Sequence, residues 1–151
     1  MPVERVAPNT LQAFFEKQVR ETPDGTALYY GDKQYTYAAI EGKANQVARY
    51  LCSHGICGAN NRVGVLGERK PETIISIIGV LKTGAAYVPV DAKFPKERRD
   101  FILENSGSRL LLSEELYRSG ELEQYDESPI GIQSLPDSLA YIIYTSGSTE
   151  I

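Results

Sequence analysis

Several residue types that carry chemistry are scarce in this 151-residue chain, which has no tryptophan, one histidine and two cysteines. Two cysteines are too few for a disulfide framework, so we expect Cys52 and Cys57 to be incidental thiols in a reducing compartment, the cytoplasm. A structural zinc centre needs four ligands, and Cys52, His54 and Cys57 supply only three. We therefore expect no metal site, and interpret His54 as a cap at a helix C-terminus.

Long apolar runs and excess positive charge are also absent. No stretch approaches the ~20 apolar residues that span a bilayer, and residues 1–5 show no apolar signal region. A net charge of −4 offers no basic surface, so we expect neither nucleic acid nor a membrane as partner. With 42% hydrophobic and 24% charged residues, the chain is typical of one globular domain with a sizeable core.

The first part of the chain predicts a helix, a hairpin and a second helix. Asn9 and Thr10 are favourable N-caps for the first helix. The apolar residues that follow them at helical spacing are Leu11, Phe14, Phe15 and Val19. Segments 26–30 and 34–37 flank a Gly-Asp-Lys turn and predict a β-hairpin. A second helix, which we expect Gly55 to end, carries an apolar face made of Ile40, Ala44, Val47, Ala48 and Leu51.

The centre of the chain predicts a strand, a helix and a strand within ~30 residues, a βαβ unit with a right-handed crossover. The strands are 62–66 and 86–90, and Pro71 opens the helix between them. That helix carries a wide apolar face made of Ile74, Ile75, Ile77, Ile78 and Leu81. Pro89 has no N–H to donate, so we expect it near a strand end, a bulge or a sheet edge.

The remaining segments complete an α/β pattern. We expect a helix at about 96–104 and strands at 109–112, 130–132 and 140–144, and interpret the polar stretch 118–128 as a surface excursion. The predicted fold is α/β, with a mostly parallel sheet flanked by helices on both faces.

The last predicted strand runs directly into a loop rich in hydroxyl groups. Backbone N–H groups and short hydroxyls around one glycine can converge on a polyphosphate. The loop lacks the Gly-Lys-Ser/Thr ending of a Walker A motif. It is nevertheless our candidate nucleotide-binding site, and its residues are Thr145, Ser146, Gly147, Ser148 and Thr149.

Three ordered stretches resemble core motifs of the adenylate-forming (AMP-binding) superfamily, and are most similar to the adenylation domains of nonribosomal peptide synthetases. They are Tyr-Thr-Tyr-Ala-Ala-Ile at 35–40, Leu-Lys-Thr-Gly-Ala-Ala-Tyr-Val-Pro-Val-Asp at 81–91, and 139–149 with the hydroxyl-rich loop. The connecting phrase at 62–66, and Phe94-Pro95 followed by Arg98, are also similar. The resemblance extends from about residue 10 to residue 149.

The resemblance implies the front subdomain of an adenylate-forming core, with 1–9 as a tail and 10–151 as the core's N-terminal portion, truncated just after the phosphate loop. The whole domain would use ATP and Mg²⁺ to convert an amino or aryl acid into an acyl-adenylate. It would then load the acyl group on the phosphopantetheine thiol of a carrier protein. Within this portion we expect no catalytic residue, and we interpret Tyr87, Pro89 and Asp91 as structural.

The end of the sequence departs from the family pattern. After Thr149 the family continues with glycine and a stretch ending in Lys-Gly, whereas this sequence has Glu150 and Ile151. A carboxylate near polyphosphate would be repelled by ~1 kcal/mol or more. We therefore expect these residues alone neither to adenylate an acid nor to bind ATP tightly, and the remainder of the domain to be a partner on the same or a separate chain.

Three alternatives remain open for such a chain. It is a natural split half that a second polypeptide completes, a non-catalytic pseudo-domain that serves as a scaffold or docking module in a synthetase assembly, or a deliberately shortened piece. The basic residues at 93, 96, 98 and 99 alternate with Glu97 and Asp100, and we interpret this cluster as a solvated helix face.

Overall fold

The computed structural model describes residues 8–58, 60–68 and 70–128, with the backbone alone for 8–14. Its elements, in chain order, are α1 (Pro8–Glu21), β1 (Thr26–Tyr30), β2 (Lys33–Thr36), α2 (Tyr37–Ser53), β3 (Arg62–Gly67), α3 (Pro71–Lys82), β4 (Ala86–Asp91), α4 (Lys96–Ser106), β5 (Leu111–Leu112), α5 (Glu114–Arg118) and a 3₁₀ helix (Glu121–Gln124). The predicted helices, hairpin and βαβ unit are confirmed, but α1 includes Asn9 and Thr10, so these residues are not its N-caps. The predicted strands at 130–132 and 140–144 lie outside the described residues.

The hairpin leads directly into α2. Strands β1 and β2 pair antiparallel, and Gly31, with a φ of 60°, makes the turn between them. Thr36 ends β2 and caps α2, because its Oγ1 accepts a hydrogen bond of 3.1 Å from the backbone N–H of Ala39. At the other end, Gly55 adopts a φ of 76° in the turn after α2, as its predicted role requires.

The central sheet is parallel and has the strand order β4-β3-β5 within the described residues. Arg62 pairs with Ala86 at one end of β3, and Gly67 pairs with Asp91 at the other. Pro89 pairs with Val65 on β4, which lies at an edge of the described sheet, as predicted. Strand β5 contains only Leu111–Leu112, so it is shorter than the predicted 109–112.

Each face of this sheet is covered by helices. One core joins Val63 and Val65 of β3 to Leu51 of α2 and Ile75 of α3. A second, smaller core lies on the other face, where Ile102 of α4 packs against β4 residues. The predicted two-sided α/β architecture is therefore confirmed.

Helices α2 and α3 approach closely at a contact that we call the apolar seam, formed by Ala44 and Val47 of α2 and Gly79 of α3. A Cβ atom at Gly79 would lie 2.6 Å from Val47 Cγ1 and 3.1 Å from the Ala44 carbonyl oxygen, so only glycine fits here. The apolar face of α3 is narrower than predicted, since Ile74 is 43% exposed.

A buried cation lies near the apolar seam, between α1, α2 and α3. Lys82, at the end of α3, has a side chain that is 5% exposed. Its Nζ lies 2.8 Å from Glu41 Oε1 of α2 and 3.2 Å from Glu16 Oε2 of α1. The three helices therefore meet around one ammonium group.

Most of the predicted surface excursion at 118–128 is exposed, but the segment is also anchored to the core and to α2. Leu122 is fully buried in the main core, and side chains of α2 hold the backbone that follows it. Asn45 Nδ2 donates to the Glu127 carbonyl oxygen at 2.7 Å, and Gln46 Nε2 donates to the Tyr125 carbonyl oxygen at 3.0 Å. The polar side chains of this segment are mostly exposed, while its backbone carbonyls accept hydrogen bonds from α2.

We call this contact the polar seam; it joins Lys43, Asn45, Gln46 and Arg49 of α2 to residues 121–128. Lys43 Nζ lies 2.8 Å from Glu123 Oε1, and Arg49 Nε donates to the Ser128 carbonyl oxygen at 2.9 Å. The last described segment is therefore pinned along α2. None of the helices in the described ranges has the length and apolar character needed to cross a bilayer.

Candidate functional site at the carboxyl edge of the sheet

The five residues predicted to bind phosphate, Thr145, Ser146, Gly147, Ser148 and Thr149, lie outside the described residues. What the structure does describe is the parallel sheet that precedes them. Strands β3, β4 and β5 are parallel, so their carboxyl ends, at Gly67, Asp91 and Leu112, meet at one edge. In open parallel α/β sheets, ligands bind outside this edge.

The motif at 81–91 builds the turn between α3 and β4. Thr83 Oγ1 donates to the Val80 carbonyl oxygen at 2.6 Å and accepts from the Ala85 N–H at 3.2 Å. Gly84 has a φ of 85°, which lets the chain reverse into the strand. The hydroxyl and the glycine of this motif therefore serve the turn itself.

The three residues of this motif interpreted as structural occupy structural positions. Tyr87 is half-buried, and burial raises the pKa of its hydroxyl. Pro89 lies within the ladder with β3. Asp91 Oδ1 accepts a hydrogen bond of 2.8 Å from the Lys93 N–H, so this carboxylate stabilises the turn that follows β4.

A chain of ion pairs lines the carboxyl edge beside β3 and β5. Lys70 Nζ lies 2.9 Å from Glu114 Oε1 and 3.7 Å from Glu68 Oε2, and Arg118 also contacts Glu114. The hydrogen bond between Lys70 and Glu114 raises the pKa of Lys70 and lowers the pKa of Glu114. Each of these two charges is therefore held in its ionised form by a neighbour of opposite sign.

The cleft between these groups is small, about 10 Å³, and is lined in part by Thr73 and Ser76 of α3. Tyr117 lies beside it, since its hydroxyl is 2.6 Å from Ser76 Oγ and donates to the Glu72 carbonyl oxygen at 3.2 Å. Burial raises the pKa of Tyr117, so this hydroxyl stays neutral. A cleft of this size holds about one water molecule and is too small for a nucleotide. Its charged groups are paired with one another.

Sequence reasoning missed these charged residues because they match no motif. A usable signal was present nonetheless: Glu68 and Lys70 directly follow a strand, and Glu114 directly follows the neighbouring one. Parallel strands bring such positions together. Among residues 8–58, 60–68 and 70–128, no group of three or more His, Cys, Asp or Glu side chains is placed to hold a metal ion.

The structure also changes the interpretation of the cysteines. Cys52 and Cys57 form a disulfide, with their Cα atoms 4.9 Å apart, so the prediction of incidental thiols is wrong. The turn at Gly55 folds the chain back and brings the two side chains together. His54 is the C-cap residue, as predicted, and its ring Nδ1 lies 2.9 Å from the Tyr50 carbonyl oxygen.

The basic cluster interpreted as a solvated helix face is solvated only in part, since Lys93 and Lys96 are exposed whereas Arg98 and Arg99 are half-buried. Lys96 and Asp100 form an exposed ion pair of 2.7 Å one turn apart. The Arg98 guanidinium lies 4.7 Å from the centre of the Phe94 ring.

The fold defines the chain as an α/β domain with a parallel sheet, and comparison with known proteins then gives the family. The sequence model of the AMP-binding enzyme family matches residues 15–149. This chain therefore belongs to the AMP-binding enzyme family.

Its relatives are peptide synthetases. The chain is 39% identical over 157 residues to tyrocidine synthase 3 of Brevibacillus parabrevis, covering 93% of this chain and 2% of that protein. It is 38% identical over 139 residues to bacitracin synthase 1 of Bacillus licheniformis, covering 92% of this chain and 3% of that protein. The chain thus spans a small fraction of the relatives it matches.

Solved structures agree. The nonribosomal peptide synthetase FmoA3 in its AMPPNP-bound form superposes with a TM-score of 0.82 at 29% identity, covering 97% of this chain and 17% of that one. An artificially fused adenylation–PCP di-domain, NpsA-ThdA from Klebsiella oxytoca, has a TM-score of 0.78 at 24% identity, covers 91% of this chain and 28% of that one, and shows the fold alone. The chain matches the N-terminal part of a nonribosomal peptide synthetase adenylation domain.

Proposed function

We propose that residues 10–151 are the N-terminal portion of an adenylation domain that, when whole, activates an amino or aryl acid with ATP. One observation carries this proposal: the AMP-binding family match continues to residue 149 and so includes the hydroxyl-rich loop. The AMPPNP-bound form of FmoA3 supports ATP as the nucleotide.

The proposed reaction is attack of the substrate carboxylate on the α-phosphorus of ATP, with pyrophosphate as the leaving group. The loop would hold the β- and γ-phosphates through its backbone N–H groups and the hydroxyls of Thr145, Ser146, Ser148 and Thr149, with Gly147 allowing close approach of the backbone. Mg²⁺ would neutralise charge on the polyphosphate. We assign it no ligand among the described residues.

The described residues contribute the carboxyl edge of the parallel sheet. There Lys70 and Arg118 are paired with carboxylates, and Asp91 adds a further carboxylate. Phosphate binding would therefore depend on the loop's own donors.

The partners we propose are the remainder of the adenylation domain and a carrier protein bearing a phosphopantetheine thiol. The peptide synthase relatives support the carrier protein. The cytoplasm, where ATP is plentiful, is the compartment that we propose.

The test is ATP–pyrophosphate exchange by a protein that contains this chain together with the rest of the domain, measured over a panel of amino and aryl acids. We expect exchange with at least one acid. Replacing the loop hydroxyls, as in Thr145→Ala or Ser148→Ala, should lower exchange by about tenfold or more.

The matched control is Ser119→Ala, which removes a hydroxyl from an exposed turn. It should leave exchange unchanged. If the loop variants exchange pyrophosphate as fast as the parent protein while melting at the same temperature, the assignment of the loop is wrong. If the parent protein exchanges with no acid in the panel, the proposed activity is wrong.

A further inference from the structure

The disulfide lies in a turn whose shape is set by the backbone. The Gly55 N–H donates to the Cys52 carbonyl oxygen at 3.0 Å, and the Ile56 N–H donates to the Leu51 carbonyl oxygen at 2.9 Å. Ile56 is buried in the main core and anchors the returning chain. None of these contacts involves sulfur, so the turn is expected to hold Cys52 and Cys57 opposite each other in the reduced form as well.

The pair is also accessible to small molecules. Cys52 and Cys57 are half-buried and line an open groove of about 480 Å³. Its remaining lining residues are Arg49, Ser53, Gln124, Tyr125 and Asp126. Tyr125 borders the groove from the polar seam, and its hydroxyl lies 3.0 Å from Ser53 Oγ. Access to the sulfur atoms is a main determinant of thiol–disulfide exchange rates.

We propose that Cys52 and Cys57 form a reversible dithiol–disulfide site that exchanges with small thiols entering this groove. A small thiolate attacks one sulfur of the disulfide, which forms a mixed disulfide and releases the other cysteine as a thiolate. A second small thiol then attacks the mixed disulfide. Two small thiols become one small disulfide, and the protein gains two electrons and two protons as its two thiols. The site is independent of the proposed adenylation.

The test is a redox titration of the full 151-residue chain with mixtures of reduced and oxidised glutathione under native conditions. Free thiols are trapped with N-ethylmaleimide at low pH and counted by intact mass. We expect a transition between no and two modified cysteines, with the same midpoint whether the protein starts oxidised or reduced. Native and guanidinium-unfolded protein should be reduced at rates within about tenfold of each other.

Two results would overturn the proposal. In one, the native disulfide resists excess reduced glutathione while the unfolded chain is reduced, which would make it a closed structural bond. In the other, the native pair remains as two thiols at every glutathione ratio.

A glycine pair separates the role of the turn from a general effect on stability. Gly55 and Gly31 both have positive φ, and a Cβ atom at either meets no atom closer than 4.0 Å. Gly55→Ala should disfavour the disulfide by about fivefold in the titration, because alanine strains the left-handed turn, and the reduced variant relieves that strain by opening whereas the disulfide form keeps it. Gly31→Ala, in the hairpin, should leave the midpoint unchanged. Equal midpoints for both variants would remove the proposed role of the turn.

Discussion

Helix α2 contacts α3 through the apolar seam and residues 121–128 through the polar seam. These two contacts differ in their chemistry and in their tolerance of an added side-chain atom. At the apolar seam, Gly79 meets Val47 and a backbone carbonyl, neither of which can yield. At the polar seam, the glycine of α2 that faces the segment, Gly42, would place a Cβ 2.6 Å from the end of the flexible Glu127 side chain. The apolar seam depends on close packing, and the polar seam depends on side-chain donors that bind backbone oxygens. A change of side-chain volume should therefore affect the first, and loss of a hydrogen-bond donor should affect the second.

The largest effect is expected from Lys82→Met, which removes the cation at the α3 end of the apolar seam. Glu41, whose side chain is 15% exposed, then loses its partner at 2.8 Å. Stranding a buried carboxylate should cost about 3 kcal/mol of unfolding free energy, measured by urea denaturation at pH 7. The double variant Lys82→Met/Glu41→Gln should recover part of this loss. Simple additivity of the two single changes would show that the pair is not coupled.

The two glycines of the seams should respond in opposite directions to alanine. Gly79→Ala should cost about 2 kcal/mol of unfolding free energy, because overpacking against Val47 and the Ala44 carbonyl exceeds the gain in helix propensity. Gly42→Ala should be neutral or stabilise by up to about 1 kcal/mol, since the Glu127 carboxylate can move aside. Thermal unfolding of both variants measures the difference. Equal losses would erase the proposed distinction between the seams.

Asn45→Ala tests the polar seam alone. Asn45 is 1% exposed and its Nδ2 donates to the Glu127 carbonyl oxygen. Removing this donor leaves a partly buried acceptor unpaired and should cost about 1 kcal/mol. Hydrogen exchange should accelerate at residues 123–128 while the amides of α3 keep their protection. Uniform acceleration across the chain would mean that the seam does not open independently.

The smallest effect is expected from acid. A hydrogen bond from Lys43 lowers the pKa of Glu123, and hydrogen bonds from Ser128 lower the pKa of Asp126. Because the folded-state pKa values are depressed, this stabilisation is complete above the unfolded-state values and is lost as pH falls below about 4. As the pH is lowered, amide protection against hydrogen exchange should therefore be lost at the polar seam at a higher pH than at the apolar seam. Glu123→Gln should reduce this pH dependence, and high salt should weaken the Lys43–Glu123 part.

The two seams also mark what the sequence could predict. Helical spacing located Ala44, Val47 and Leu51 on the buried face of α2, because apolar burial repeats with the period of the helix. No such period marks Asn45 and Gln46, which reach backbone oxygens 82 and 79 positions later in the chain. A side chain that donates to a backbone carbonyl oxygen leaves no trace in the partner's sequence, so the sequence predicted the exposure of residues 118–128 but not their attachment to α2.

The same limit applies to the candidate site. The motif at 81–91 correctly predicted a turn and a strand, since Gly84 and the alternating apolar residues carry local signals. The ion pair of Lys70 with Glu114 depends on the register of β3 with β5, which is a tertiary property. The cysteine pair was missed because the number of cysteines indicates only whether a framework of several disulfides is present. It says nothing of one short-range disulfide across a turn. The phosphate-loop assignment of Thr145–Thr149 remains a prediction.

The unequal strands of the parallel sheet bear on the order in which the protein folds. Strands β3 and β4 pair along six positions and are joined by a single helix, whereas β5 pairs with β3 at two positions after a much longer connection. Closing a short loop costs less chain entropy than closing a long one. The six paired positions between β3 and β4 also offset more of that entropy than two positions can. We expect residues 62–91 to form the nucleus, with β5 docking late.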